Sequence, residues 1–76
     1  MKEGLLWYDS RGIEDVREKV LSAVDYFSAK YGCLPEKCYV HPDELEKGSI
    51  ELDNKVKVVQ NPRVTNNHIW LEFPSD

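Results

Sequence analysis

Apolar residues recur at Ile13, Val16, Val20, Ala23, Val24, Phe27 and Tyr31, at steps of three and four. That spacing gathers them along one side of a helix. Glu14, Arg17, Glu18, Ser22, Asp25 and Ser28 occupy the other side. Ser10 or Gly12 is placed to cap the start, and Glu14 and Asp15 fall in a first turn where the helix dipole favours acids. Lys30 stands in the last turn, Gly32 suits a left-handed stop and Pro35 blocks continuation. These positions together predict a helix from Ile13 to Tyr31.

Elsewhere the period changes from helical to alternating. "LLWYD" before the helix and "KCYVH" after it read as strands, rich in aromatic and branched apolar residues. "HPDELEKG" reads as one helical turn, with Pro42 at its first position, Asp43 and Glu44 behind it and Gly48 at its end. "SIELDNKVKVVQ" is patterned as a hairpin across Asp53-Asn54, with Val56 and Val58 on one face. "NPRVTNN" is turn chemistry, and "HIWLEF" alternates Ile69, Leu71 and Phe73 against His68, Trp70 and Glu72. The predicted order is β-α-β-β-β-β, the segment Ile50 to Leu52 carrying the weakest pattern. One amphipathic helix laid on a mostly antiparallel sheet of four or five strands is the economical arrangement, an α+β fold in two layers. The strand–helix–strand opening allows the first two strands to run parallel.

Length adds that residues 1–76 form one domain, with no room for a second core. A chain of this size buries only about 60–65% of its unfolded surface, so a metal, a disulfide or a second copy would help it. Hydrophobic content of 41% beside 32% charged residues is globular rather than disordered composition. The net charge of −4 opposes general binding to nucleic acid or anionic membranes. Its distribution is uneven: Lys55, Lys57 and Arg63 lie in a stretch, Lys55 to Leu71, that contains no acid. No apolar run approaches the ~20 residues of a membrane span. "MKEGLLWYDSRG" lacks the pattern of a signal peptide. With two cysteines, the expectation is a cytoplasmic protein with free thiols.

The segment "KYGCLPEKCYVHPDEL" crowds two cysteines, a histidine and several acids together. Cys33, Cys38, His41 and His68 are chemically acceptable zinc ligands. Their spacing, however, offers one loose cysteine pair where zinc sites use two tight ones. Strand alternation also sends Cys38 and His41 to opposite faces, so no metal is expected. Cys33 follows a helix C-terminus, whose negative end disfavours a thiolate. Asp43 and Glu44 are explained by the turn they open, and no glycine-rich phosphate loop occurs. No catalytic residue, cofactor or metal ligand is therefore assigned.

The alternation carries a more specific expectation. If Ile69, Leu71 and Phe73 face the helix, then His68 and Trp70 face away, and Tyr39 and His41 do so beside them. Lys55, Lys57 and Val59 join from a neighbouring strand, and either Trp7 or Tyr8 must also point outward. Aromatic groups on the uncovered side of a sheet mark an interaction surface. The reading is a non-catalytic module that binds a protein partner or a second copy of itself through Trp70, Tyr39, His68, His41, Lys55, Lys57 and Arg63. The alternative is stacking of single-stranded nucleic acid on the same face. A small metal protein or enzyme ranks third.

Overall fold

The computed structural model describes residues 3–9, 15–45, 48–52 and 54–74. Asp15 starts the long helix α1 (Val16–Tyr31): its backbone is extended and its side chain accepts the Arg17 N–H at 2.9 Å. The helix thus begins three residues later than the apolar period alone predicts. Its cap is Asp15, while the alternatives at Ser10 and Gly12, and the stripe position Ile13, lie outside the described residues. The far end matches expectation. Gly32 turns left-handed at φ 73° and returns its N–H to the Ser28 carbonyl at 2.8 Å.

Five strands follow the alternating segments: β1 (Gly4–Tyr8), β2 (Lys37–Val40), β3 (Ser49–Glu51), β4 (Lys57–Gln60) and β5 (His68–Glu72). They form one sheet in the order β1-β5-β2-β4-β3. β5 pairs antiparallel with both β1 and β2, so those two strands run parallel to each other with β5 between them. The β2–β4 pair is parallel, and β3 closes the other edge antiparallel to β4. Between β2 and β4 the chain makes a 3-10 turn (Pro42–Glu44) before forming β3. The β3–β4 hairpin is closed by Leu52 N–H to Val56 O at 3.0 Å and Lys55 N–H to Leu52 O at 2.8 Å. Its predicted tip residue Asp53 lies outside the described residues, and Lys55 carries the positive φ of 69°.

The fold is therefore α+β in two layers, one helix on a mostly antiparallel five-stranded sheet. Val20, Ala23, Val24 and Phe27 from α1 meet Cys38 and Val40 of β2, Val58 of β4 and Ile69 and Leu71 of β5. Leu45, Leu52 and Val56 complete the buried cluster from the connections. Phe73 packs its ring 5.6 Å from Phe27 and 5.0 Å from Tyr31, edge to face in the second case. Among the described residues no helix is long and apolar enough to cross a membrane.

Candidate interaction surface

Because α1 covers one side of the sheet, the strand registers alone determine what the other side presents. Leu6 lies opposite Trp70, Trp70 opposite Tyr39, Tyr39 opposite Val59 and Val59 opposite Ser49. An apolar row thus crosses four strands and ends on a serine at β3. A second row runs Gly4, Glu72, Lys37, Lys57, Glu51, by the same pairings. Tyr8 and His68 begin a third row at the other end of β1, their rings 4.9 Å apart.

Exposure along the apolar row is unequal. Trp70, Tyr39 and Val59 are half-buried, whereas Leu6 is 54% and Tyr8 57% exposed. Central strands shield one another's side chains, and an edge strand has a neighbour on one side only. Tyr39 donates its hydroxyl hydrogen bond to Glu72 Oε2 at 3.2 Å, which draws a buried carboxylate onto the outer face. Trp70 reaches sideways instead. A β-carbon on Gly4 would come within 2.9 Å of the indole Nε1 and 2.3 Å of the Leu71 carbonyl oxygen. Only glycine fits there, and its missing side chain leaves room for the indole over the end of β1.

The residues expected on this face are partly brought together. Trp70, Tyr39, His68 and Lys57 stand in the rows above. Lys55 does not, because its left-handed backbone places it in the hairpin turn before β4 begins. Arg63 is exposed in the turn between β4 and β5, where its N–H is taken by Asn61 Oδ1 at 2.9 Å. His41 follows β2 and caps the 3-10 turn, its Nδ1 accepting the Asp43 N–H at 3.1 Å. Leu6 and Lys37 were not singled out from sequence, although the alternation that turns Tyr8 and Tyr39 outward turns them outward too.

The two cysteines part company. Cys38 is fully buried under the helix, and burial pushes its thiol from 9.0 up to about 12. Cys33 is exposed beyond the helix end, and both thiols are free. Among the described residues no three His, Cys, Asp or Glu side chains gather where they would hold a metal ion. His68 Nδ1 lies 3.0 Å from the Asn66 carbonyl oxygen, a contact that requires the proton on that nitrogen.

A second polar group sits where α1 meets the sheet. Lys19 is buried among the apolar stripe and donates to Glu44 Oε1 and, at 3.1 Å, to Asn67 Oδ1. Glu44 Oε2 accepts the Asn67 N–H at 3.0 Å. Asp9 donates its N–H to the Asn67 carbonyl at 2.8 Å, tying the end of β1 to the same corner. Both carboxylate oxygens are occupied within the fold, so this trio acts as a clamp between helix, 3-10 turn and β4–β5 loop. Sequence did hold a signal for it: Lys19 stands three residues after Val16 and four before Ala23, inside the apolar stripe.

On the helix surface, Tyr26 and Tyr31 are exposed but share the Lys30 ammonium, 5.9 and 5.6 Å from their ring centres. The Tyr31 ring also packs tilted against Phe27, with centroids 4.8 Å apart. No family model matches the chain, and no curated protein or solved structure is detectably similar to it.

Proposed function

We propose that this protein is a non-catalytic assembly module that associates with a second copy of itself through the open side of its sheet or an edge strand. The observation that carries the reading is the apolar row ending in the exposed Leu6, with exposed Tyr8 beside it on the same strand. Burying two such side chains contributes roughly 1.5–3 kcal/mol each, a large fraction of what a domain this small can hold. The charged row supports a protein partner over a polyanion. Glu72, Lys37, Lys57 and Glu51 follow one another with two charges of each sign, so the face offers no net attraction to phosphate. Lys55 and Arg63, which would extend a basic strip, stand in turns outside the rows. The free, exposed Cys33 suits a reducing, cytoplasmic setting.

Sedimentation of the purified chain tests the reading. The unmodified protein should run as a dimer, and Trp70→Ser, which removes the ring that overhangs β1, should weaken the dimer and leave the chain folded. A single chain at millimolar concentration before any substitution would sink the proposal. Micromolar binding of a single-stranded oligonucleotide, weakening steeply with salt and quenching Trp70 fluorescence, would replace it with the nucleic-acid alternative.

A further inference from the structure

The β1–β5 register determines which backbone groups of β1 point away from the sheet. Phe73 donates to Glu3 O at 3.0 Å and Asp9 donates to Asn67 O at 2.8 Å, both in line with the register that pairs Leu5 with Leu71 and Trp7 with Ile69. In an antiparallel ladder, residues alternate between bonding inward and outward. The odd-numbered residues therefore bond to β5, and Gly4, Leu6 and Tyr8 direct their N–H and C=O groups outward. Among the described residues β1 ends the sheet, with no strand on that side.

The two edges of the sheet differ in how they discourage pairing. β3 is three residues long and presents Ser49 and Glu51, which suits a protected edge. β1 is five residues long, reads "GLLWY", and has neither a charge nor a proline. Natural edge strands of that length and polarity are normally covered.

We infer that two copies join side by side through β1, antiparallel, with Leu6 on the two-fold axis, so that their sheets become one of ten strands. This rests on the assembly reading above and specifies its seam. In that register Leu6 faces the partner's Leu6 and Gly4 faces the partner's Tyr8. Three residues per copy each bring one donor and one acceptor, and all of them pair, closing six inter-strand hydrogen bonds. A slip of two residues leaves an end residue without its mate, and a slip of one sets outward side chains against inward ones. The exposed Tyr8 of one copy falls at the glycine of the other, next to the Trp70 indole that overhangs Gly4. The half-buried Leu5 and Trp7 meet across the seam on the helix side. The apolar row then runs unbroken through Tyr39, Trp70 and Leu6 into the same residues of the partner in reverse order. Since the same strand serves both copies, the pairing closes as a dimer rather than continuing as a fibre.

Site-directed cross-linking tests the seam. With Cys33→Ser in place and Cys38 buried, Leu6→Cys puts two thiols on the two-fold axis. Paired residues in such a hydrogen-bonded pair hold their β-carbons about 5.5 Å apart, beyond the span of about 3.5–4.5 Å in a direct disulfide, so a short bis-maleimide is the reagent. The bis-maleimide should convert the protein almost completely to a covalent dimer, while Ser49→Cys at the other edge should stay uncross-linked. Leu6→Lys, which sets two ammonium groups face to face, should give a folded single chain. Lys57→Glu alone, three strands from the seam, should leave the dimer intact. A dimer that survives Leu6→Lys, or that fails to cross-link through Leu6→Cys, would overturn the β1 seam and leave association through the stacked faces. An unmodified protein that is monomeric throughout would overturn both readings.

Discussion

Cys38 and Lys19 illustrate opposite ways for a polar side chain to live in this core. Cys38 is buried against apolar neighbours and stays neutral, its thiol pushed up from 9.0 to about 12. In the unfolded chain it would ionise at its ordinary value. Between about 9 and 12 the native state thus holds a proton that the unfolded state has lost, and stability falls as pH rises through that window. Below about 9 the contribution is fully present. The Cys38→Ala protein should show a shallower alkaline loss than the parent, by up to about 1.4 kcal/mol per pH unit, in denaturant titrations run across that window. Equal slopes would mean that Cys38 is open to solvent. In the native state near neutral pH, an alkylating reagent should mark Cys33 and spare Cys38. Lys19 instead meets Glu44 and Asn67 through hydrogen bonds, and no buried side-chain polar atom among the described residues lacks a partner.

At the scale of elements, α1 supplies the core through one stripe, and Phe27 is its largest contribution, fully buried and ringed by Tyr31 and Phe73. Phe27→Ala should destabilise the protein by about 3–5 kcal/mol, read as a shift in the urea midpoint. A loss below about 1 kcal/mol would mean that the stripe packs elsewhere. The helix and the strands were legible in the sequence because their periods, near four and two, are local properties. The side-by-side order of the strands within the sheet was not, since pairing joins segments far apart in the chain. This is why Trp70 and Tyr39 drew attention before Leu6 and Tyr8. Alternation reveals which way a side chain points, but its exposure depends on whether its strand is central or at an edge. β5 lies between β1 and β2, so Trp70 has neighbours on both sides, and β1 is left at the rim. Lys55 was misplaced for a related reason: alternation was extended back through a residue whose positive φ puts it in the turn.

At the scale of the molecule, one long helix covers one side of five strands among the described residues. The helix side is filled by the buried cluster, and the opposite side ends in an apolar edge strand with Leu6 and Tyr8 exposed. The proposed association through that side would link folding to protein concentration, because only a dimer would bury these residues. The thermal midpoint measured over a wide range of protein concentration tests this most directly. It should rise steadily with concentration in the parent protein and cease to do so in Leu6→Lys. A midpoint of the parent protein that does not move with concentration, while sedimentation reports a single chain, would contradict self-assembly as the work of this fold.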